Sequence, residues 1–341
     1  MTQLLAAPTY APDELDTEEL VCTDIVAVTH DVRTFELERL DSRPFSFLAG
    51  QHLTVRVDVD GTPLERCYTL SSPPTRPDRV AITVKRVPGG PVSSWLHDRF
   101  RVGDRLHATG PLGGFTLEEH PARRHLFLSA GSGITPLISM TRMLRDLGGP
   151  HDVAFVHSAR TPADIVFRAE LEAMATDDLR VATVCETDEG RLSLPMLTRI
   201  VPDLIEREVF VCGPAGYMAS VRGILAEAGA DPARCHEESF VLGLAPVSPV
   251  TEAAGTFTVE LRRSGRTVTC DADGSVLEAA ARAGLELPSS CGEGVCGTCK
   301  STLLEGSVDM QHAGGIRPRE VAKRQILLCC SKPLEDLVID A

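Results

Sequence analysis

Cys291-Gly-Glu-Gly-Val-Cys296-Gly-Thr-Cys299 is the most informative stretch of the sequence, and Cys329 follows far downstream. Its C-x4-C-x2-C spacing lets one loop supply three of the four thiolates of a [2Fe–2S] cluster. The intervening glycines permit tight wrapping, because glycine tolerates positive φ and lets backbone N–H groups approach the bridging sulfides. Such N–H donors also stabilise an added electron. The stretch predicts an iron–sulfur site with Cys291, Cys296 and Cys299 as three ligands and a downstream cysteine as the fourth.

Zinc is the alternative occupant of such a cysteine cluster. Zinc sites usually combine two separated C-x2-C pairs, whereas here the second pair is missing and the first loop has the longer gap. Iron–sulfur ligation is therefore favoured. The spacing alone leaves open whether Cys329 or its neighbour Cys330 is the fourth ligand.

Composition places the chain among ordinary globular proteins. It has 341 residues, of which 43% are hydrophobic and 24% charged, and this length favours two or three domains. The net charge of −14 argues against nucleic-acid binding, which depends on Lys and Arg. The charge permits steering toward a basic patch on a partner protein, but solubility is the favoured explanation.

The sequence shows no sign of export or of a membrane span. No apolar run approaches the roughly 20 residues that cross a bilayer, and residues 1–20 contain no Lys or Arg to begin a secretory signal. We therefore expect a cytoplasmic protein, without membrane association.

The pattern of apolar residues changes along the chain. Residues 1–18 are polar and interrupted by proline, which indicates a loose tail. Short alternating runs from 19 to 117, separated by turn residues, predict an antiparallel β-barrel. From 121 to 240 strand-like and helix-like segments alternate, which predicts a parallel, doubly wound α/β sheet.

The C-terminal third begins after a linker. Residues 241–254 are rich in Ala, Pro, Ser and Thr, a composition typical of linkers. Residues 255–341 open with a hairpin-like pair of strands and then a helix near 276–283, with Ser275 as N-cap and Gly284 at its end. We predict a third, α+β domain that contains the cysteine cluster.

This third domain resembles the plant-type [2Fe–2S] ferredoxins, which implies a β-grasp fold. In that family the fourth ligand lies four residues before a proline near the last strand. Cys329 and Pro333 match this arrangement. The resemblance therefore selects Cys329 as the ligand and leaves Cys330 as a core residue.

A second motif lies in the first domain. Arg66-Cys67-Tyr68-Thr69-Leu70-Ser71-Ser72 resembles the R-x-Y-[ST]-x-x-S signature of the ferredoxin–NADP reductase superfamily. The resemblance implies that Arg66 binds the flavin pyrophosphate, that Tyr68 packs on the flavin ring and that Thr69 lies near N5, with Ser72 as a further contact. Thr69 stands where serine is common, and both residues carry a hydroxyl.

Two further segments resemble the same superfamily. Gly89-Gly90-Pro91-Val92-Ser93-Ser94-Trp95-Leu96 matches its G-x-x-S segment, where a helix begins against phosphates, as suits an anion. This implies contacts from Gly90, Val92 and Ser93, whereas Trp95 is expected in the core. Residues 110–115 match the end of the flavin domain, and the segment at 89–96 favours FAD over FMN.

The second domain carries two pyridine-nucleotide motifs. Ala130-Gly131-Ser132-Gly133-Ile134-Thr135-Pro136 follows a strand and opens a helix, a context that favours phosphate binding. Cys212-Gly213-Pro214-Ala-Gly-Tyr-Met218 resembles the superfamily's C-G-P-x-x-M motif, which implies that Cys212 faces the hydride-transfer region; the alternative is a small buried residue. The nucleotide-binding residues expected here are Gly131, Gly133, Thr135, Pro136, Gly213 and Pro214.

Two residues have open interpretations. Phe240 ends the second domain, where the superfamily often places an aromatic ring against the flavin, but it could equally be a core residue. Arg160 could bind the 2′-phosphate of NADPH. Similar Ala-Arg-Thr-Pro segments occur in NADH-using relatives, however, and NADH is favoured. The residues expected to act at the reacting centre are Thr69, Thr135 and Cys212.

These modules together predict an electron-transfer reductase. NAD(P)H releases two electrons as hydride and a [2Fe–2S] cluster accepts one, so a flavin is the natural converter between them. The chain resembles reductases ordered flavin, NAD, ferredoxin, which supply Rieske-type oxygenases, including those acting on quaternary amines such as glycine betaine, or hybrid-cluster proteins. No His pair with a carboxylate stands at ligand spacing, so we expect the oxygenase to be another chain. A stand-alone small-molecule reductase and a redox sensor are the alternatives.

Overall fold

The structure is a computed structural model that describes residues 17–239, 255–285, 287, 294, 299–312, 316 and 318–341. Contacts divide the chain into two compact units, Met1–Phe240 and Val241–Ala341. The predicted linker, Phe240, Cys291 and Cys296 lie outside the described residues.

The first unit begins with a six-stranded antiparallel sheet. Its elements are β1 (Glu18–Ala27), β2 (Val32–Arg39), β3 (His52–Val59), β4 (Thr62–Thr69), β5 (Val80–Lys85), α1 (Pro91–Asp98) and β6 (Arg105–Leu112). The strand order is β4-β3-β6-β1-β2-β5. The sheet curls strongly, so that the end of edge strand β4 meets the middle of edge strand β5 at an isolated bridge between Leu70 and Ile82. Inward-facing apolar side chains such as Phe35, Val55 and Leu96 fill the interior.

A five-stranded parallel sheet follows in the same unit. Its elements are β7 (Arg124–Ala130), α2 (Ile134–Leu147), β8 (Asp152–Ala159), α3 (Arg168–Met174), β9 (Leu179–Cys185), α4 (Glu186–Glu189), α5 (Leu194–Ile200), β10 (Glu208–Gly213), α6 (Ala215–Glu227) and β11 (Cys235–Ser239). The order is β11-β10-β7-β8-β9. β7 is buried from His125 to Ala130, as expected of a parallel strand covered on both faces.

The curled sheet and the parallel sheet share a hydrophobic core. Ala49 and Phe115 of the first region pack in one cluster with Ile138 and Met140 of α2 and with Phe210 of β10. The opposite face of the parallel sheet is covered separately, through residues such as Val211 and Met218. The two sheets therefore form one compact body.

The second unit is an α+β domain. Its elements are β12 (Thr256–Leu261), β13 (Arg266–Asp271), α7 (Val276–Arg282), β14 (Lys300–Glu305), β15 (Val308–Met310), α8 (Pro318–Ala322), β16 (Gln325–Leu327), β17 (Ser331–Pro333) and β18 (Leu337–Asp340). The main sheet has the order β13-β12-β18-β14-β16, with β12 and β18 parallel. Ser275 caps α7 in a capping box with Glu278, and Gly284 follows its end with φ +73°, as predicted.

The three predicted fold types are thus confirmed: a barrel-like antiparallel sheet, a parallel α/β sheet and an α+β domain. Within the ranges that the structure describes, no helix is both long and apolar enough to cross a membrane.

Candidate active site

The predicted flavin motif lies at the end of β4. Thr69 is the last residue of the strand and is only 4% exposed. Its Oγ1 is buried and has no hydrogen-bond partner among the described residues. A buried, unpaired hydroxyl is costly, so this atom suits a ligand that supplies the missing partner.

The other members of this motif, Arg66, Tyr68 and Ser72, lie in different environments. Arg66 donates to the carbonyl of Glu65 at 2.7 Å and forms no ion pair with any residue in the described ranges, which leaves its charge for an anion. Burial raises the pKa of the Tyr68 hydroxyl, so Tyr68 is neutral. Ser72 Oγ accepts a hydrogen bond from Ala81 N at 2.9 Å, so this hydroxyl fastens the end of β4 to β5.

The predicted phosphate segment forms the start of α1. Gly90 is the N-cap residue, and a Cβ there would lie 2.7 Å from Ser93 Oγ. Ser93 Oγ accepts from Val87 N at 3.1 Å and donates to the Gly90 carbonyl at 3.2 Å, so it shapes the turn, while Val92 is buried. Trp95 packs against Phe100, with ring centroids 5.5 Å apart, as expected of a core residue.

The two pyridine-nucleotide motifs meet at the carboxyl ends of β7 and β10. Strands β8 and β9 lie on one side of β7, and β10 and β11 lie on the other. This reversal of strand order is where open α/β sheets bind ligands. The structure therefore brings the segments 130–136 and 212–218 to one crevice.

Glycine is required where these motifs touch. A Cβ at Gly133 would lie 2.4 Å from the carbonyl oxygen of Cys212, and one at Gly213 would lie 2.7 Å from the Tyr217 ring. Gly131 has φ +54°. Only glycine lets the two backbone segments approach this closely, as in the glycine-rich turns that bind a dinucleotide pyrophosphate.

The remaining predicted nucleotide residues surround this crevice. Thr135 is 3% exposed, and its Oγ1 donates to the Ser132 carbonyl at 3.2 Å. Cys212 is fully buried at the end of β10, and Pro136 is buried in the first turn of α2. Pro214 immediately precedes α6. Arg160 directly follows β8 and is exposed, so it lies at the same edge of the sheet.

A buried polar pair beside the crevice escaped the sequence analysis. Ser129 Oγ and His157 Nδ1 are 2.7 Å apart, and Ser129 is also in register with Cys212. Burial lowers the pKa of His157 to about 3, so the imidazole is neutral. Polar residues at the ends of two adjacent apolar strands are the signal that could have identified this pair.

The described part of the cysteine cluster has the contacts expected of metal ligands. Gly294 N donates to Cys329 Sγ at 3.2 Å, the N–H···S bond that stabilises a thiolate. A Cβ at Gly294 would lie 2.7 Å from Cys330 Sγ, so only glycine allows the loop to approach this closely. Cys299 is buried. These residues fit an iron–sulfur cluster.

The structure also brings together a His pair and a carboxylate from distant positions, His120, His236 and Glu208, which no local sequence spacing indicates. The His120 and His236 rings stack at 3.4 Å with planes 15° apart, and His236 Nε2 lies 2.7 Å from Glu208 Oε1. Arg234 Nε donates to the other carboxylate oxygen at 3.2 Å. Lone pairs of stacked rings lie in nearly parallel planes and cannot converge on one ion. We interpret these contacts as structural, because they fasten edge strand β11 to β10 and to the segment that carries His120.

Known family patterns match three successive parts of the chain. The oxidoreductase FAD-binding domain matches residues 19–117, the oxidoreductase NAD-binding domain residues 127–223 and the 2Fe-2S iron-sulfur cluster binding domain residues 259–334. Fold, site and matches together define an NAD(P)H-dependent oxidoreductase with FAD and a [2Fe–2S] cluster as its cofactors.

Individual relatives cover nearly the whole chain. It is 41% identical over 343 residues to the glycine betaine monooxygenase reductase subunit of Pseudomonas aeruginosa, with 94% of each protein covered. It is 38% identical to the stachydrine N-demethylase reductase subunit Stc4 of Rhizobium meliloti, covering 96% of this chain and 97% of that one. The structure of phthalate dioxygenase reductase matches with a TM-score of 0.60 and 29% identity, over 95% of this chain and 98% of that one.

The chain belongs to the ferredoxin–NADP reductase family, among the reductases that carry a C-terminal [2Fe–2S] ferredoxin domain. Proteins of this class take hydride from NAD(P)H and pass single electrons to a redox partner. The prediction of an electron-transfer reductase is confirmed.

Proposed function

We propose that the electron acceptor is the oxygenase component of a Rieske-type monooxygenase system that acts on a quaternary amine. The observation that carries this proposal is the similarity to the glycine betaine monooxygenase and stachydrine N-demethylase reductase subunits over almost their full lengths. A domain arrangement shared over nearly the whole chain supports a similar task.

The first set of residue roles concerns FAD, which when bound would accept the electron pair of one hydride and release the electrons singly. Arg66 holds the pyrophosphate, because its cation has no carboxylate partner in the described ranges. Tyr68 packs on the ring, and the buried Thr69 hydroxyl hydrogen-bonds at the N5 edge. The turn at Gly90, Val92 and Ser93 lies against the phosphates.

The second set concerns the pyridine nucleotide. The backbone of the bound dinucleotide approaches the sheet at three glycines, Gly131, Gly133 and Gly213. Pro136 and Pro214 shape the helix starts beside the dinucleotide. Thr135 lies beside the nicotinamide, and Cys212 packs against it without acting as a nucleophile. Phe240 lies against the flavin in this proposal, and Cys291, Cys296, Cys299 and Cys329 ligate the cluster.

NADH is the proposed hydride donor. Arg160 is exposed at the edge of the parallel sheet and is the residue that could bind a 2′-phosphate. The ratio of kcat/KM for NADH and NADPH, measured for the native chain and for Arg160→Gln, tests this choice. A preference for NADPH that Arg160→Gln abolishes would contradict it.

The acceptor is tested by isolation and reconstitution. The tagged full-length reductase is used to capture proteins from native lysate under reducing conditions, and a captured oxygenase is then purified separately. With NADH and glycine betaine, the two proteins together should consume oxygen and release formaldehyde, whereas neither should do so alone. Capture of a hybrid-cluster protein, or of no electron-accepting protein, would contradict the proposal.

A further inference from the structure

Two side chains of α2 hold the backbone of the flavin motif. Ser139 Oγ donates to the Ser72 carbonyl at 2.7 Å, and Arg142 Nη1 donates to the Ser71 carbonyl at 2.6 Å. Ser139 is fully buried, and the Arg142 side chain is 14% exposed. These carbonyls lie two and three residues after Thr69, so the contacts hold the chain just beyond the end of β4.

The same helix carries the proposed nicotinamide contact. Thr135, Ser139 and Arg142 are spaced i, i+4 and i+7, which places them along one stripe of α2. A helix transmits position along its length because each turn is hydrogen-bonded to the next. One rigid element therefore connects the turn that faces the nicotinamide to the strand end that faces the flavin.

Arg142 is itself fixed by the neighbouring helix. Its Nε and Nη2 donate to both oxygens of Glu170 at 2.8 and 2.6 Å, and the guanidinium lies 4.7 Å from the centre of the Phe167 ring. Phe167 has φ +58°, a left-handed conformation that a bulky residue holds only when its surroundings impose it. The position of Arg142 is thus determined from three directions.

We propose that Ser139 and Arg142 are positioning residues for hydride transfer, which set the distance and angle between the nicotinamide beside Thr135 and the flavin edge beside Thr69. The proposal rests on the roles proposed for those two threonines. Hydride transfer needs the reacting atoms about 3–3.5 Å apart, and a displacement of about 1 Å lowers the rate by about 100-fold. Neither positioning residue belongs to the motifs expected to bind either cofactor, so cofactor affinity should be retained.

The test uses the FAD-loaded full chain with Ser139→Ala and Arg142→Met. Anaerobic stopped-flow mixing with NADH should give limiting rates of flavin reduction lowered at least about tenfold, with the Kd for NADH within about twofold. The long-wavelength charge-transfer absorbance of the nicotinamide–flavin complex should weaken in parallel. That spectroscopic change reports ring geometry, which a loss of stability alone would not alter.

Arg76→Gln is the matched control. Arg76 joins the same two regions through a bidentate pair with Asp146, at 2.6 and 2.9 Å, but it is exposed and does not touch the flavin motif. Arg76→Gln should keep both the rate and the charge-transfer band. If Arg142→Met does not fold, Ser139→Ala, which removes one hydroxyl, decides the question.

The outcomes are separable. A wild-type limiting rate and an unchanged charge-transfer band in Ser139→Ala would overturn the proposal, as would an equal loss in Arg76→Gln. If the native chain itself transfers no hydride from NADH to FAD, the proposed roles of Thr69 and Thr135 fail first, and the positioning proposal fails with them.

Discussion

At the scale of single residues, Thr69 has a buried hydroxyl without a hydrogen-bond partner among the described residues, which suits a ligand. Thr69→Val keeps the side-chain volume but removes the unpaired Oγ1. We expect the FAD-free protein to be unchanged or about 1 kcal/mol more stable, because an unsatisfied buried hydroxyl is lost. Flavin reduction by NADH should nevertheless slow by about 10- to 100-fold.

Denaturant unfolding of the FAD-free protein and stopped-flow reduction of the loaded protein measure these two effects. Thr69→Ser keeps a hydroxyl and should retain most of the rate. A marked loss of stability in the FAD-free Thr69→Val protein would instead give this hydroxyl a structural role.

Gly133 is the position where a single methyl group should be least tolerated. The added Cβ would meet backbone atoms of Cys212 and Gly213 at 2.4 to 2.6 Å, and backbone cannot move aside as a flexible side chain can. We expect Gly133→Ala to lower stability by about 1–3 kcal/mol and to weaken NADH binding, measured by denaturant midpoint and by titration.

Gly223→Ala provides the comparison, because nothing lies within 4 Å of a Cβ at this interior position of α6, outside both nucleotide motifs. Alanine there should raise stability by about 0.5–1 kcal/mol through helix propensity and leave NADH binding intact. Equal effects of the two substitutions would contradict the close-approach account.

At the scale of elements, β7 buries a histidine that must stay neutral. His125 is 2% exposed, and neither ring nitrogen has a hydrogen-bond partner within the described ranges. Burial lowers its pKa from 6.5 to about 4. The unfolded chain therefore binds a proton between these pH values that the folded chain does not, and stability falls as pH falls through this window.

The slope from one such group is at most about 1.4 kcal/mol per pH unit. His125→Phe, which places an aromatic ring beside Phe127 and Phe210, should reduce the decline of the unfolding free energy between pH 6.5 and 4. His157, whose pKa burial lowers to about 3, should maintain part of it. An identical pH profile in His125→Phe would contradict the assignment.

Much of the element order could be predicted from local sequence. Alternation identified the strands of the first sheet, and strand–helix rhythm identified the parallel sheet with its carboxyl-end motifs. The contacts of Ser139 and Arg142 with the flavin motif join residues 67 and 71 positions apart, and His120 stacks on His236. No local pattern encodes such pairs, because they depend on how whole elements pack together.

At the scale of the whole molecule, the chain separates into two compact units. A variant ending at residue 240 keeps every described residue of both nucleotide sites, so it should bind FAD and reduce ferricyanide with NADH. It should lose most reduction of cytochrome c and of the physiological oxygenase. Steady-state assays with each acceptor check this, and unchanged oxygenase reduction would show that the cluster is not an obligatory relay.

The order of electron transfer is tested most directly by one anaerobic rapid-mixing experiment on the loaded full chain. After mixing with NADH, flavin absorbance should bleach first, and the EPR signal of the reduced [2Fe–2S] cluster should appear afterwards at the expense of reduced flavin. A cluster signal that precedes flavin bleaching, or that never appears while the flavin is reduced, would contradict a relay from NAD(P)H through FAD to the cluster.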